Sequence, residues 1–228
     1  MQLKSGWNLI GNPYNYSIHL GEFVGVSGAN PNGSYAWEQL VQQGVVSGGV
    51  AYWDPDTQSY QYIGGNTGVM QSNVGYWVYV FTQQDLTLKF PPVYQELATS
   101  NDPNHPITRA VDTWNQAPNK WRLNLAVRSS KSVDDQNYVG VVPTSADAMT
   151  NQAMKPPMSP TQDVSLSVDQ TVKGKAYRMA QAYNVGSGAQ KWNVYVQATD
   201  GGQMTLTWPN LSKALTNMRF RVTDVATN

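Results

Sequence analysis

The stretch Trp121–Arg128, WRLNLAVR, places large apolar side chains at every second residue and polar or small ones between them. Side chains two residues apart in an extended strand lie on the same face, so this stretch has one apolar face. Such alternation is typical of an antiparallel strand that packs on one side only. The same spacing recurs in Val164–Val168, Trp192–Val196, Met204–Trp208 and Phe220–Val222. Several such strands separated by turn-rich segments predict a β-sandwich, and Asp200-Gly201-Gly202 predicts a tight turn between two of them.

The first part of the chain predicts a second β unit that is rich in Trp and Tyr. Val50–Trp53 and Tyr60–Ile63 flank the turn sequence Asp54-Pro55-Asp56-Thr57, in which Pro presets the turn and Asp caps it. This arrangement predicts a β-hairpin. Gly75–Phe81 and Leu86–Phe90 predict a further antiparallel pair.

One short helix is predicted over Ala36–Gln43, with Ser34 as its cap and Gly44 as its end. A domain boundary is expected near residue 95, because Pro91-Pro92 and the polar stretch Ala98–Pro118 are typical of a stiff connector. The predicted fold class is therefore all-β and mainly antiparallel. It comprises an aromatic-rich domain over 1–95, which holds the helix, and an antiparallel β-sandwich over 96–228.

Composition excludes several classes of protein. Among 228 residues, Lys plus Arg and Asp plus Glu each number 15, so there is no basic excess for binding nucleic acid. No apolar run approaches the roughly 20 residues of a membrane helix, so no membrane span is expected. Cys is absent, which excludes disulfides and thiolate chemistry. Only 13% of residues are charged, and the resulting polar, uncharged surface is typical of extracellular proteins and favours self-association.

The sequence predicts no enzyme and no cofactor. No Ser completes the Gly-x-Ser-x-Gly spacing of a nucleophile elbow, and His19 and His105 are the only imidazoles. Asp134, Asp135 and Asn137 could offer oxygen ligands to Ca²⁺, although their spacing does not match the twelve-residue calcium loop. The calcium signal is weak, and ordinary turn chemistry is the favoured explanation of these three residues.

Aromatic side chains are the strongest chemical feature of the first 95 residues. Trp53, Tyr60 and Tyr62 lie in the predicted hairpin, where exposed rings could stack on the faces of sugars. The same rings could anchor a protein interface instead. They could also fill the core, because this part of the chain has few Leu and Ile residues.

Several motifs resemble a module that recurs in large secreted or surface proteins of environmental bacteria, together with the β-sandwich that often follows it. The motifs are Ser5–Tyr14, Gly75–Tyr79, Trp121–Leu125, Asp135–Gly140, Lys155–Pro157, Trp192–Val194 and Leu206–Trp208. They consist of Trp, Gly, Pro and Asn at turns and strand starts, so the resemblance implies a secreted setting and no reaction. In such proteins Thr223–Thr227 is followed by one more strand, so the resemblance implies a sandwich that lacks its final strand.

These observations favour a non-catalytic extracellular protein, a building block of a bacterial surface layer or filament. An unpaired strand edge would join identical copies by β-strand pairing. The expected edge comprises Phe220, Arg221, Val222 and Thr223. The donor would be Met1–Lys4 or Ala98–Thr108 of a neighbouring copy, unless the arginines simply keep the edge solvated. The alternative function is a carbohydrate-binding module of a secreted polysaccharide-degrading protein, with a polysaccharide as the partner.

Overall fold

A computed structural model describes residues 1–27, 33–65, 67–83, 85–90, 120–209 and 218–225. Strands dominate this part of the chain, and nearly all strand pairs are antiparallel, which confirms the all-β class. The strands before residue 91 are β1 (Gln2–Leu3), β2 (Gly6–Gly11), β3 (Ile18–His19), β4 (Val24–Ser27), β5 (Tyr35–Ala36), β6 (Gly49–Asp54), β7 (Ser59–Gly64), β8 (Val69–Met70), β9 (Gly75–Val80) and β10 (Leu86–Lys89). Those after residue 119 are β11 (Trp121–Arg128), β12 (Val133–Val142), β13 (Ala153–Met154), β14 (Val164–Val172), β15 (Lys175–Val185), β16 (Val194–Ala198) and β17 (Thr205–Thr207).

The N-terminal half, residues 1–90, contains two four-stranded sheets in the orders β1-β10-β4-β5 and β2-β9-β6-β7. One apolar cluster joins both sheets and the helix α1 (Trp37–Gln42). In β9 the side chains of Tyr76, Val78 and Val80 are buried, as the alternation of the sequence predicts. The hairpin β6–β7 is confirmed, and Oδ1 of Asp54 accepts the backbone N–H of Asp56 at 2.9 Å in its turn.

Two local predictions in this half are wrong. The strands β9 and β10 do not pair with each other, because β9 pairs with β2 and β6 whereas β10 pairs with β1 and β4. They lie in opposite sheets, so that apolar residues of both strands face the same core. The helix α1 begins after Ala36 rather than Ser34, and Oε1 of Gln39 accepts the backbone N–H of Ala36 at 2.9 Å.

The C-terminal half, residues 120–225, is built on one sheet with the order β16-β14-β15-β12-β11-β17, and β13 also pairs with β15. The predicted strands β11, β14, β16 and β17 are all present. They belong to a single sheet that curls on itself, so that β11 and β14 face each other across the core as the two layers of a sandwich do. One pair, β12 with β15, is parallel.

A second short helix, α2 (Ser145–Asn151), lies in the C-terminal half, where the sequence interpretation placed none. Its cap is Thr144, whose hydroxyl accepts the backbone N–H of Asp147 at 3.1 Å. Neither α-helix of the described residues is long and apolar enough to cross a membrane.

The two halves meet through backbone as well as side chains. The N–H of Gly49 donates to the carbonyl of Gln152 at 2.9 Å, just after α2. A Cβ atom on Gly48 would lie 2.4 Å from the carbonyl oxygen of Thr150, so only glycine allows this approach. Tyr79 and Tyr177 add an edge-to-face ring contact across the halves, with centroids 5.8 Å apart. The boundary near residue 95 falls within 91–119, outside the described residues, and stays a prediction.

Candidate functional site

The strand β16 leaves core-facing apolar side chains in contact with solvent. Val194 and Val196 pair with Val168 and Leu166 of β14, which are 0% exposed in the core. Both valines lie on the same side of the sheet as their partners, yet each is 39% exposed. Among the described residues β16 pairs only with β14, so its other backbone edge carries no strand. Within the part of the chain that the structure describes, the apolar interior of the curled sheet is therefore uncovered at this edge.

The opposite edge of the same sheet, β17, is open in a similar way. Leu206 pairs with the buried Val127 and packs on the core, and Met204 and Trp208 lie two residues to either side of it. Met204 is 42% exposed and Trp208 is 38% exposed. Because β16 and β17 are the two ends of one sheet, the turn at Asp200-Gly201-Gly202 does not join a hairpin, contrary to the prediction.

Phe220 lies at one end of the open region. Its ring contacts Trp121 edge to face with centroids 5.8 Å apart, and Trp121 contacts Trp192 at the same distance. Phe220 itself remains 37% exposed. We call the partly exposed apolar residues along these two edges the apolar strip: Val194, Val196, Met204, Leu206 and Trp208.

The predicted edge strand at Phe220–Thr223 is not a strand in the structure. All four of its residues are exposed and lie outside any strand, and Val222 is 66% exposed. Phe220 and Val222 alternate with arginines in the sequence, but among the described residues no strand lies beside this segment. Two residues on the predicted apolar strand faces, Val194 and Phe220, are exposed, and two others, Trp192 and Leu206, are half-buried.

One of the two predicted donor segments is already used within the chain. In Met1–Lys4 the strand β1 pairs with β10, and Leu3 is buried in the N-terminal core. The amino group of Met1 also donates to the carbonyl of Leu88 at 2.7 Å. Met1–Lys4 is therefore not a free strand, which corrects that prediction. Ala98–Thr108 lies outside the described residues.

The aromatic trio Trp53, Tyr60 and Tyr62 shares one face of the β6–β7 hairpin, but it does not form a flat exposed surface. Trp53 and Tyr60 are direct cross-strand partners whose rings meet at an interplanar angle of 78°. Tyr60 is only 8% exposed and is hydrogen-bonded to the side chain of Trp77. Burial raises the pKa of the Tyr60 phenol above 10.0.

Tyr62 points its hydroxyl into the protein rather than toward solvent. This hydroxyl is buried and has no hydrogen-bond partner among the described residues. Burial raises the pKa of the phenol well above 10.0, and the nearby charge of Asp134 raises it further. Trp53 is half-buried.

The candidate calcium residues surround a lysine. Lys155 Nζ donates to Oδ2 of Asp134 at 2.5 Å and to Oδ1 of Asn137 at 2.9 Å. The amide of Asn137 in turn donates to Oδ1 of Asp134 at 2.9 Å, and the same carboxylate accepts the backbone N–H of Leu166. Burial lowers the pKa of Lys155, and the carboxylate of Asp134 opposes this effect. The oxygens assigned to a metal thus bind an ammonium group.

The carboxylate of Asp135, the third candidate, accepts a hydrogen bond from Gln136, and its charge also favours the ammonium form of Lys155 by raising the pKa of that group. Within the described residues no group of three or more His, Cys, Asp or Glu side chains could hold a metal. His19 contacts the carbonyl of Thr67 at 3.3 Å, and His105 lies outside the described residues.

Sequence interpretation missed Lys155 as the partner of Asp134. The side chains are 9% and 5% exposed, and they come together only because β13 and β12 both contact β15. No local pattern marks a lysine for such burial.

Comparisons with protein-family models, with curated proteins and with solved structures return no match to this chain.

Proposed function

We propose that this chain is a non-catalytic building block of an extracellular bacterial surface layer or filament, whose copies are joined by β-strand pairing. The observation that carries the proposal is the apolar strip. Core-facing valines that are 39% exposed at a strand edge are typical of a sheet that is completed by another strand. The low content of charged residues, 13%, and the resemblance to secreted modules support the extracellular setting.

The backbone of β16 supports strand pairing rather than a purely side-chain contact. Its hydrogen bonds to β14 use one edge, and among the described residues the N–H and C=O groups of the other edge pair with no strand. An added strand would satisfy these groups and cover Val194 and Val196 at the same time.

The proposed partner of β16 is Phe220–Thr223 of a neighbouring copy. This segment lies outside any strand, is exposed, and alternates apolar with basic residues. Such a segment can turn Phe220 and Val222 toward an apolar surface while Arg221 stays in water. When two different surfaces of identical copies pair head to tail and the contacts do not form a closed ring, each copy can add another, and a filament results.

Solution assembly tests the proposal. The chain at rising concentration is followed by analytical ultracentrifugation and negative-stain microscopy, and extended assemblies are expected. Val196→Glu places a charge in the apolar strip and should abolish assembly. Val185→Glu is the matched control, because Val185 is 44% exposed at the end of a central strand, outside the strip. Monomers at all concentrations, or equal loss in both variants, would reject the proposal.

Cysteine cross-linking tests the pairing itself, since the chain has no Cys of its own. A Gln197→Cys variant and a Thr223→Cys variant, which carry purification tags of different sizes, are mixed under mild oxidation. A disulfide between Cys at these two positions then has to join two copies, and the tag sizes identify the mixed dimer. A mixed dimer is expected, and Gln197→Cys with Thr57→Cys is the control. A mixed dimer that is no more abundant than in the control would contradict pairing at this edge.

The alternative, a carbohydrate-binding module that uses Trp53, Tyr60 and Tyr62, has less support. Stacking needs exposed ring faces, and in this trio Tyr60 is buried and the Tyr62 hydroxyl points inward. Retention of the Trp53→Ala variant on a polysaccharide that also retains the parent chain would count against this trio as the binding surface.

A further inference from the structure

Three buried side chains in the C-terminal half place an amine against a carboxamide. They are Lys155, which follows β13, and Asp134 and Asn137, which lie in β12. Asn137 is 0% exposed, and the side chains of Lys155 and Asp134 are nearly as buried. Nζ of Lys155 lies 2.9 Å from Oδ1 of Asn137, so it is within roughly 4 Å of the carbonyl carbon Cγ. Reacting atoms in a near-attack arrangement are about 3–3.5 Å apart, so a small shift of the lysine brings the amine into position.

The carboxylate of Asp134 contacts both nitrogen atoms that a reaction between these groups involves. Its Oδ2 accepts a hydrogen bond from Nζ of Lys155 at 2.5 Å, and its Oδ1 accepts one from Nδ2 of Asn137 at 2.9 Å. The backbone carbonyl of Asp134 also accepts from Nδ2, at 3.2 Å, so the amide of Asn137 is held with Oδ1 toward the lysine. One carboxylate can therefore take a proton from an attacking nitrogen and deliver one to a departing nitrogen.

The surroundings favour the neutral amine of Lys155, which is the form that can attack a carbonyl group. Burial lowers the pKa of Lys155, and the charges of Asp134 and Asp135 oppose this effect without cancelling it. Desolvation of this kind is one way in which proteins turn a lysine into a nucleophile. The burial of all three side chains also keeps water away from the reacting groups.

We propose that Lys155 and Asn137 form an intramolecular isopeptide bond, with Asp134 as the catalytic acid–base group. Nζ gives a proton to Oδ2 of Asp134, and its lone pair then forms a bond to Cγ of Asn137, while the C=O electron pair moves to Oδ1. That pair re-forms the C=O bond as the Cγ–Nδ2 bond breaks with its electrons on Nδ2. Asp134 relays a proton from the attacking nitrogen to Nδ2, which leaves as ammonia. An ammonium group and a carboxamide thus become a secondary amide, ammonia and one proton, and no oxidant or other reactant is needed.

The bond would join β12 covalently to the segment that follows β13, and both of these strands pair with β15. A covalent link between distant residues constrains the unfolded chain, as a disulfide does, and this chain has no Cys. The reaction takes place once in each molecule and has no external substrate. It is therefore compatible with a non-catalytic building block, but it does not rest on the proposed assembly.

The mass of the purified full chain tests the proposal. We expect a mass about 17 Da below that of the sequence, which is the loss of one ammonia. Lys155→Met and Asp134→Asn should each have the full mass of their sequences, whereas Lys131→Met should keep the deficit. Lys131 is the matched control, because its Nζ also pairs with a carboxylate, that of Asp200 at 2.7 Å, but at an exposed site. A parent of full mass, or a deficit that persists in Lys155→Met, would overturn the proposal.

Digestion of the unfolded parent locates the bond without relying on any variant. A protease that cleaves before Asp releases 135–146, which holds Asn137, and 147–162, which holds Lys155. A single branched fragment that combines both peptides, less one ammonia, is expected. Two separate peptides would overturn the proposal, and a link from Lys155 to Asp134 with loss of water would overturn the assignment of Asn137. Val196→Glu should yield the same branched fragment, which separates this result from that of the assembly.

Discussion

The ammonium of Lys155 lies 2.5 Å from Oδ2 of Asp134, and the two side chains are buried together at 9% and 5% exposure. The carboxylate also accepts the N–H of Leu166, so this one group connects β12, β14 and the end of β13. An ion pair inside a core is costly to break, because the remaining charge is left buried without its partner. This pair therefore helps to fix the curl of the C-terminal sheet.

Asp134→Ala is expected to destabilise the fold by about 3–5 kcal/mol, since it leaves the Lys155 ammonium and the Leu166 N–H without their acceptor. The free energy of unfolding in urea measures this loss. Asp135→Ala is the comparison, because this neighbouring carboxylate accepts a hydrogen bond from the half-buried amide of Gln136 and acts on Lys155 through its charge alone, and a change of about 1 kcal/mol or less is expected. Equal urea midpoints for the parent and the Asp134 variant would show that the pair contributes nothing.

Tyr62→Phe is expected to leave stability at pH 7 unchanged or to raise it by about 1 kcal/mol. The Tyr62 hydroxyl is buried without a partner, so its removal deletes an unsatisfied group and keeps the ring. Thermal and urea unfolding at pH 7 measure the change. A loss of more than about 1 kcal/mol would indicate that this hydroxyl has a stabilising partner.

The same variant changes the response to alkali. The phenol pKa is raised above 10.0 in the folded chain, so the folded state holds its proton where the unfolded state has lost it. The contribution of the protonated Tyr62 phenol to the free energy of unfolding is fully present below about pH 10. It is lost as the pH rises through the pKa of this phenol in the folded state. The free energy of unfolding of the parent should therefore fall above pH 10, and that of the Tyr62→Phe variant should fall less. Tyr195→Phe, at an exposed ring, is the control, and parallel curves for parent and Tyr62→Phe would contradict the burial of this hydroxyl.

Much of the fold could be predicted from sequence, because alternation is a local property. The strand β11 and the hairpin β6–β7 follow directly from it. The partner of a strand is not a local property. The alternation of Leu86–Phe90 therefore predicts a strand, but it does not predict that β10 lies in a different sheet from β9. The helix α2 carried a recognisable cap in Thr144, which sequence interpretation overlooked.

The candidate sites were harder to predict for the same reason. The sequence offers Asp134, Asp135 and Asn137 as weak candidates for calcium ligands, but the cation that Asp134 and Asn137 bind is a lysine from a distant segment. Phe220–Thr223 has the pattern of a strand, yet a strand also needs a neighbour, and the described residues provide none.

Gly48→Ala tests the close approach of the two halves. The new Cβ would lie 2.4 Å from the carbonyl oxygen of Thr150 and 2.6 Å from that of Met149, both backbone atoms at the end of α2. Since backbone has to move, we expect a loss of about 1–3 kcal/mol in urea unfolding. Gly201→Ala is the control, because nothing lies within 4 Å of its added Cβ. Similar stabilities of the two variants would mean that the halves separate freely at this contact.

Val194 and Val168 face each other across β16 and β14, and they offer a matched test of the open edge. Both lie on the core side of the sheet, but Val168 is 0% exposed and Val194 is 39% exposed. Val→Thr keeps the shape and adds a hydroxyl, which costs about 1–3 kcal/mol where it is buried without a partner. Val168→Thr should show this cost in dilute solution, and Val194→Thr should stay within about 0.5 kcal/mol of the parent. At concentrations where copies associate, Val194→Thr should instead weaken association, because a neighbouring strand would then bury the added hydroxyl. If both variants lost the same stability in the isolated chain, β16 would be covered from within the same molecule and its edge would not be available to a second copy.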